Sequence, residues 1–310
     1  MITSAAAISS TFIWRRVHSL MGLWLILYLT VHLLTNSQAA LWIGDDGSGF
    51  IRMVNALEQL PYLQVIEVVF IGIPFGIHII WGVKRALTAK TNSGKTDGRA
   101  PSLPLARNRA FTWQRLTSWI LLFGVIGHVV QMRWLDAPKK VRVGYEERFL
   151  AQLDFDAGLY TLAPRLHVTL YTAEEIAELK KKVASLPAVS SVAEEMQRVN
   201  EEKQFFRQLS SFHLKENQVV AEALTPGTAI LLKVRDTFKS PLMIGLYTLF
   251  VVAAAFHAFN GFWTSLITWG VLLSWRSQKG MLSFCGVGGA LLAFLGLAAI
   301  WGSYWINLRA

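Results

Sequence analysis

The sequence predicts an all-α membrane protein, a bundle of five transmembrane helices that carries a small α+β insertion. Hydrophobic residues make up 53% of the 310 residues and charged residues only 16%, whereas soluble domains contain about 25% charged residues. Long apolar runs, each near the ~20 residues that a helix needs to cross a bilayer, occur at 17–36, 62–83, 113–134, 242–263 and 282–306. This composition excludes a soluble enzyme, a disordered chain and a disulfide-stapled domain.

The apolar runs divide the chain into three parts. Residues 1–134 contain the first three spans, residues 135–240 form a polar insertion, and residues 241–310 contain the last two spans. The insertion is charge-balanced, with 15 basic and 15 acidic residues from Asp136 to Lys239. It shows no catalytic signature, so the membrane part is the more informative region.

Mixed helix and strand patterns indicate that the insertion has an α+β fold. A helix is predicted to begin at Thr172, since acids stand in its first turn and lysines in its last, which suits the helix dipole. Residues 191–212 predict a second helix. Leu159–Tyr171 and Gln218–Val234 have patterns more typical of strands, and Pro226-Gly227 within the second predicts a turn.

The distribution of charge predicts how the spans are oriented. The positive-inside rule places connections rich in lysine and arginine in the cytoplasm. The N-terminal flank and the second and fourth connections hold twelve basic residues against one acid: Arg15, Arg16, Lys84, Arg85, Lys90, Lys95, Arg99, Arg107, Arg109, Arg115, Arg276, Lys279 and Asp97. We therefore expect a protein of the bacterial cytoplasmic (inner) membrane, with its N-terminus in the cytoplasm and the insertion and C-terminus outside. The net charge of +10 then reflects topology, and we expect a lipid partner and no nucleic acid.

The first span also resembles a twin-arginine signal peptide. Arg15 and Arg16 precede an apolar run, and residues 37–39 resemble a cleavage site. The run from Val17 to Leu34 is longer than the roughly 7–15 residues of a signal core, and four more spans follow it. We therefore expect this segment to be retained as a span.

Four of the seven histidines lie well inside predicted spans: His32, His78, His128 and His257. Ionisable side chains inside a membrane are costly and indicate function by default. Each histidine comes about 15 residues after the start of its span, roughly 23 Å from the entry face at the rise of an α-helix. Because successive spans run in opposite directions, His32 and His128 are predicted at the outer level and His78 and His257 at the inner level. Two stacked histidine pairs are what two bis-histidine haems b require.

Small residues near these histidines favour haem over other groups. Gly82, Gly124 and Gly261 lie four residues from His78, His128 and His257, respectively. Pro74, four residues before His78, is expected to free a backbone carbonyl. A tetrahedral zinc site fits poorly, since each level offers only two histidines. The single cysteine, Cys285, excludes an iron–sulfur cluster ligated within this chain. The alternative to haem ligation is that the chain is a transporter or a structural anchor. The four histidines would then relay protons or pack inside the protein.

The three remaining histidines lie elsewhere. His18 stands at the inner mouth of the first span beside Arg15 and Arg16. These three side chains are either contacts of the inner haem's propionates or interfacial residues that snorkel to the surface. His167 and His213 fall in the insertion, and we expect both to face solvent.

Four sequence blocks carry a resemblance to a known family. They are RRVHSLMGLWLILYLTVHLLTN (15–36), LPYLQVIEVVFIGIPFGIHIIWGVKRALTAK (60–90), WQRLTSWILLFGVIGHVV (113–130) and SPLMIGLYTLFVVAAAFHAFNGFWTSLITWGVLLSWRSQKG (240–280). In order and spacing they resemble the large, single-subunit, di-haem cytochrome b anchors of succinate:quinone oxidoreductases, of the succinate:menaquinone reductase type. The four axial histidines of that family fall on the four histidines named above. The insertion is a departure, since similar anchors have a much shorter connection there.

The resemblance implies the membrane anchor and cytochrome b subunit of a succinate dehydrogenase, the respiratory complex II of the tricarboxylic acid cycle. It implies an inner haem near an iron–sulfur subunit, which a flavoprotein subunit supplies with electrons on the cytoplasmic side, and an outer haem that passes electrons to menaquinone. FAD and iron–sulfur clusters are then expected only in the partner subunits. Such a chain is the quinone-reactive subunit of an oxidoreductase complex and does not act on succinate alone.

Two acids are candidates for relaying protons to the quinone at the outer side. Glu58 lies just before the second span, where the resemblance places an acidic residue of the family. Glu67 lies about five residues into that span, roughly 8 Å deep, on the same side as His32. An acid inside a span is costly unless it has a partner, so Glu67 has either a functional or a structural role.

Related electron-transfer complexes stay open as alternatives. The cytochrome b of a hydrogenase or a formate dehydrogenase performs similar chemistry with other partners, although the HSLMG and HAFNGFW sequences favour the succinate family. A fumarate reductase anchor has the same plan. The direction of physiological turnover is therefore left open.

Overall fold

The computed structural model describes residues 9–89, 106–185 and 193–305. Within these residues, five helices are long and apolar enough to cross a membrane: Ser10–Ser37, Leu63–Thr88, Arg107–Leu135, Pro241–Thr268 and Trp275–Trp305. The predicted number of spans is thus confirmed by length and composition. The last helix begins at Trp275 rather than near residue 282. Part of the charge count that predicts the orientation, Lys90, Lys95, Asp97 and Arg99, lies outside the described residues.

The chain forms two compact units, which we describe separately. The first comprises Met1–Leu34, Pro61–Gly127 and Tyr247–Gly296, and the second comprises Thr35–Leu60, His128–Leu246 and Leu297–Ala310. The long helices are α1 (Ser10–Ser37), α3 (Leu63–Glu67) continued by α4 (Ile73–Thr88), α5 (Ala106–Val129), α10 (Pro241–Thr268) and α11 (Trp275–Trp305). Most of each belongs to the first unit, which is therefore the helical bundle.

The second span contains a π-helical turn, Val68–Gly72, between α3 and α4. Pro74 follows this turn, and because proline has no N–H, the carbonyl of Phe70 four residues earlier loses its helical donor. The indole Nε1–H of Trp24 on α1 donates to that carbonyl at 2.6 Å. The expectation that Pro74 frees a backbone carbonyl is confirmed. The hydrogen bond that this carbonyl accepts connects the first two spans.

Small residues let α10 approach its neighbours in the first unit. A Cβ atom at Gly124 on α5 would overlap the ring of Phe250, and one at Gly288 on α11 would overlap the ring of Phe259. Without a hydrophobic driving force in lipid, close packing of this kind stabilises helix association. Gly124, which the sequence associates with a cofactor, thus makes room for a protein side chain.

A four-stranded antiparallel sheet is the centre of the insertion. Its strands are β1 (Lys139–Val143), β2 (Glu146–Asp154), β3 (Thr169–Tyr171) and β4 (Gln218–Ala223), in the order β1-β2-β4-β3. A two-residue turn joins β1 to β2, and Gly144 in it has φ +62°, which favours glycine. The two strands that pair most extensively, β2 and β4, lie in the middle.

Four helices cover the two faces of this sheet: α6 (Ala157–Arg165), α7 (Ala173–Ala184), α8 (Ala193–Leu209) and α9 (Pro226–Thr237). Leu150 and Val220 point to one face, where they pack with Phe206 of α8 and partly buried residues of α7. Because side chains alternate along a strand, the neighbouring Ala151 and Val219 point to the other face, and α9 packs on β2. The predicted α+β character of the insertion is therefore confirmed.

Inside the insertion both predicted helices are right, the first predicted strand and the turn are wrong, and the second predicted strand is right in part. Gln218–Ala223 of that stretch is β4, whereas its later part, from Pro226 on, belongs to α9. The helix beginning at Thr172 is confirmed and has a complete capping box with Glu175, and α8 lies within the second predicted helix. The strand predicted over Leu159–Tyr171 is mostly α6, and Pro226-Gly227 opens α9 instead of forming a turn. The missed signals were the N-caps Asp156 and Thr225, the second followed by proline at the first helical position.

The first connection contains a helix that the apolar pattern does not predict, α2 (Ser48–Glu58). It packs on α9 within the second unit. The backbone N–H of Gly227 donates to Asn55 Oδ1 at 2.8 Å, and a Cβ there would lie 2.6 Å from the carbonyl oxygen of Ile51. Arg165 adds a two-pronged ion pair with Asp46, at 2.9 and 3.1 Å. The loop after the first span is thus fastened to the insertion.

A charge cluster surrounds the buried Arg235 at the end of α9. Arg235 is only 1% exposed and donates to both carboxylate oxygens of Asp156, at 2.8 and 2.6 Å. The guanidinium also lies 5.1 Å from the ring centre of Tyr304. Lys239 Nζ pairs with Asp156 at 3.0 Å and with Asp236 at 2.7 Å. We call these five side chains the charge cluster.

Hydrogen bonding controls the ionisation of Asp156 in this cluster. Burial by itself raises the pKa of the carboxyl, but hydrogen bonds from Arg235, Lys239 and the backbone N–H of Leu159 outweigh it and hold the pKa well below its usual range. Asp156 is also the N-cap of α6. The same carboxylate therefore caps one helix and neutralises the arginine of another.

Candidate functional site

Two of the four predicted histidines meet in the first unit. The rings of His78 on α4 and His257 on α10 lie with their centres 6.3 Å apart and their planes at 78°. An imidazole nitrogen binds a transition metal at about 2 Å and lies about 1 Å from its ring centre, so two imidazoles on opposite sides of one ion have centres about 6 Å apart. The separation therefore fits two axial ligands of one haem iron.

The hydrogen bond of His78 determines which ring nitrogen is available. Nδ1 lies 3.2 Å from the backbone carbonyl oxygen of His18. A carbonyl oxygen can only accept, so Nδ1 carries the proton and the lone pair is on Nε2. Metal-binding histidines in proteins characteristically donate their second ring N–H to a carbonyl or carboxylate in this way.

His257 has the same tautomer for a similar reason. Its Nδ1 lies 3.3 Å from the hydroxyl oxygen of Thr117 on α5. That hydroxyl has one hydrogen, and it donates to the carbonyl of Trp113 at 2.8 Å, so its oxygen accepts from the imidazole. Both rings of the pair therefore present an Nε2 lone pair, and among the described residues neither Nε2 makes a hydrogen bond.

His18 is a third imidazole at this site. Its ring stacks on His78 with centres 4.1 Å apart and an interplanar angle of 10°. Its Nε2 is buried and has no hydrogen-bond partner among the described residues. A buried, unpartnered polar atom is unfavourable unless a ligand completes it, which fits the expectation that His18 contacts a haem propionate.

Glycines border the three imidazoles. A Cβ at Gly22 would lie 3.0 Å from Cε1 of His78, and one at Gly82 would lie 3.5 Å from Nε2 of His18. Gly261 similarly faces the Gln114 amide. Gly82 and Gly261 were expected from the sequence, whereas Gly22 was not, although it lies four residues after His18, one helical turn away.

The basic residues expected beside the inner haem have different surroundings. Arg15 is exposed. The Arg16 guanidinium lies 3.5 Å from the ring centre of Phe12 and donates to the carbonyl of Thr268 at 3.5 Å. Arg85, at the end of α4, interacts electrostatically with His18. Propionate contacts of Arg15 and Arg16 stay a prediction, and Arg85 is the arginine linked to the imidazole site.

The second predicted pair is divided between the two units. His32 on α1 belongs to the first unit, and its ring stacks with that of Tyr28, with centres 5.6 Å apart. His128 belongs to the second unit and is followed by a π-helical stretch, Val130–Leu135. The pairing of these two histidines stays a prediction.

The two candidate acids differ in their surroundings. Glu58 is exposed at the end of α2. Glu67 is half-buried, ends α3 directly before the π-helical turn, and interacts electrostatically with Tyr28. Through that tyrosine Glu67 is linked to His32 within one unit, a relation that the sequence indicates only as a common depth.

The histidines of the insertion are exposed, as expected. Both His167 and His213 face solvent.

Among residues 9–89, 106–185 and 193–305, no group of three or more histidine, cysteine or acidic side chains is placed to hold a metal ion. Any metal at the paired histidines would therefore need further ligands from a cofactor, and a porphyrin supplies four nitrogens.

Comparison with known proteins gives one significant relative. The chain is 23% identical over 290 residues to the succinate dehydrogenase cytochrome b558 subunit of Bacillus subtilis strain 168, which covers 93% of this chain and 95% of the relative. The predicted resemblance is confirmed. The similarity spans nearly the whole of both chains. No family model matches the chain, and no solved structure matches it significantly.

Proposed function

We propose that this chain is the cytochrome b subunit and membrane anchor of a succinate dehydrogenase. It carries electrons from an iron–sulfur subunit through two bis-histidine haems b to menaquinone. The observation that carries the proposal is the geometry of His78 and His257: a ring separation suited to one iron, with both Nδ1 atoms donating to acceptors. The similarity to the Bacillus subtilis subunit supports the same reading of the chain.

When bound, haem b supplies one-electron oxidation and reduction without transferring atoms. The chain's own residues would then bind and orient it. His78 and His257 would hold the inner haem, and His32 and His128 would hold the outer haem. Arg85 and His18 lie where cationic and hydrogen-bonding groups can neutralise propionates.

The two ends of the bundle would have different partners. The basic residues at the end of α4, Lys84 and Arg85, belong to the side that the positive-inside rule assigns to the cytoplasm. We propose that the iron–sulfur subunit docks there, with the flavoprotein subunit bound to it. The iron–sulfur clusters would belong to a partner subunit, because one cysteine cannot hold a cluster, and FAD would belong to the flavoprotein subunit.

The quinone would be reduced at the opposite, outer end. Reduction of menaquinone takes up two protons with the two electrons, so an acid near the outer haem can supply or relay them. Glu67 is the better placed of the two candidates because it is half-buried and interacts with Tyr28, which stacks on His32. Glu58 is exposed and would act by exchanging protons with the external solution.

The test is a reduced-minus-oxidised absorption spectrum of the complex purified through a tag on this chain. We expect a cytochrome b band equivalent to two haems, together with covalently or tightly bound flavin and iron–sulfur signals from co-purifying subunits. The His128→Ala variant should lose the outer haem and keep much of the inner one. Absence of any cytochrome b band would reject the haem proposal, and loss of the inner haem in His128→Ala would overturn the pairing.

A further inference from the structure

Among the residues that the structure describes, the hydroxyl of Thr117 is the side-chain group that hydrogen-bonds Nδ1 of an inner-site imidazole. The partner of His78 is a backbone carbonyl, which no substitution removes. The partner of His257 is a side chain that is buried and already hydrogen-bonded to its own helix. A substitution at Thr117 can therefore change the ligand's hydrogen bond without changing the ligand.

Hydrogen bonds between α5 and α10, which we call the polar ladder, fix the position of Thr117 relative to His257. The Gln114 side-chain Nε2 donates to the carbonyl of His257 at 3.1 Å, and Asn260 Nδ2 donates to Gln114 Oε1 at 2.7 Å. Hydrogen bonds between helices in an apolar surrounding have few competitors. The ladder fixes the backbone of α10 at His257, and the Thr117 hydroxyl then fixes the rotation of the ring.

The hydrogen bond also affects how strongly the imidazole donates to a metal. An acceptor on Nδ1–H makes Nε2 more basic. A more basic axial ligand stabilises the ferric state more than the ferrous state, and so lowers the midpoint potential. Removing the acceptor should therefore raise the potential of the haem bound at this site.

We propose that Thr117 is a positioning residue of the inner haem: its hydroxyl holds the His257 ring nearly perpendicular to His78 and strengthens its donation to the iron. The proposal rests on the proposed function, since it requires a haem bound between His78 and His257. It assigns to α5, which contributes no ligand to this haem, a part in setting its orientation and potential.

Three variants of the complete complex separate this role from a general effect on packing. Thr117→Val keeps the shape and removes the acceptor, Thr117→Ser keeps the acceptor and removes a methyl group, and Thr264→Val is the matched control. Thr264 lies on α10, and its hydroxyl donates only to its own helix, at Gly261. The readouts are the ferric electron paramagnetic resonance spectrum and the midpoint potential of each haem.

We expect the wild type to give a strongly anisotropic low-spin signal for the inner haem. Nearly perpendicular imidazole planes leave two iron d orbitals almost equal in energy, which produces such a signal. In Thr117→Val the signal should become more rhombic and the midpoint potential should rise, with the outer haem unchanged. Thr117→Ser and Thr264→Val should both match the wild type.

Each other outcome has a definite meaning. An unchanged signal and potential in Thr117→Val would overturn the proposal. Loss of the inner haem in Thr117→Val with retention in Thr117→Ser would support it, because loss of such a partner typically weakens metal binding about 10–100-fold, whereas loss in both would overturn it. If the wild type contains no haem that disappears in His257→Ala, the proposed function itself fails, which is a separate result.

Discussion

The imidazole site of the bundle and the charge cluster of the insertion are both polar and partly buried, yet their polar groups are compensated in opposite ways. At the imidazole site His78 and His257 each use one nitrogen to donate to an acceptor and keep a lone pair on the other. In the charge cluster Asp156 accepts from Arg235 twice, from Lys239 and from the N–H of Leu159. A carboxylate has about four acceptor positions, so the capacity of Asp156 is filled.

The difference distinguishes a site that can bind a cofactor from one that stabilises the fold. Full charges are tolerated in the charge cluster because opposite charges adjoin them. In the membrane-spanning helices a full charge is costly, and polarity takes the form of neutral imidazoles with open lone pairs. Buried polar groups alone do not indicate a ligand site, whereas open coordination positions do.

The largest expected effect is the loss of a whole cofactor from the imidazole site. We predict that His78→Ala removes the inner haem completely and leaves the outer haem, because one imidazole does not hold a low-spin haem with two axial ligands. The measurement is the haem content and redox titration of the purified complex.

The matched control for that experiment is His213→Ala, at an exposed histidine of the insertion. It should keep both haems at wild-type potentials. Full retention of two bis-histidine haems in His78→Ala would mean that another residue, with His18 stacked beside it as the first candidate, is the ligand.

The next largest effect should come from removing the arginine of the charge cluster. We predict that Arg235→Met destabilises the folded insertion by about 1.5–3 kcal/mol, because the half-buried Asp156 loses two charge-assisted hydrogen bonds. Limited proteolysis of the insertion in membrane vesicles would measure the change. The double variant with Asp156→Asn should be less destabilised than the sum of the two single variants, and strict additivity would contradict the pairing.

The imidazole site and the charge cluster also differ in how much of each can be predicted from the sequence. The four histidines are predictable because an ionisable residue is conspicuous in an apolar run, and their common depth follows from helix geometry. Thr117 and Gly22 are not predictable this way, since threonine and glycine are ordinary in membrane helices. Their role becomes visible only where α5 packs against His257 of α10 and α1 packs against His78 of α4.

The insertion was less predictable because its signals compete. In α9 the segment from Ala229 to Val234 consists largely of apolar residues that suit a buried strand as well as a helix. Thr225 and Pro226 decide for the helix through capping and a fixed φ. The charge cluster joins residues about 80 positions apart along the chain, a separation that local patterns do not predict.

Acid should weaken the charge cluster. The pKa of Asp156 is lower in the folded protein than in the unfolded chain, where it is about 3.9. Its ionised form therefore contributes stability above about pH 4, and this contribution is lost as the pH falls toward the folded pKa. We predict that between about pH 5 and 2 the wild-type insertion loses more resistance to unfolding than Asp156→Asn does, as followed by proteolysis with an acid-active protease. Parallel loss in both proteins would contradict this assignment.

A smaller change would test how closely the imidazole site is packed. We predict that Gly22→Ala displaces the His78 ring by a few tenths of an ångström, since the new Cβ would lie 3.0 Å from Cε1, and that it shifts the spectrum of the inner haem without removing it. Gly82→Ala is the matched control, because its Cβ would make an ordinary contact of 3.5 Å with His18. Equal spectral shifts in both variants would indicate a general packing effect.

Glu67 is the exception that sharpens the comparison, because it is the one acidic residue in the five membrane-spanning helices. It is half-buried, precedes a π-helical turn and interacts with Tyr28, and its carboxyl group can take up and release a proton. If it relays protons to the quinone, Glu67→Gln should keep both haems and succinate-dependent haem reduction but slow quinone reduction by about tenfold or more. Glu58→Gln, at an exposed acid, should have a smaller effect, because water can replace it. Unchanged turnover and inhibitor sensitivity in both variants would exclude both acids as the relay and require another route for the protons.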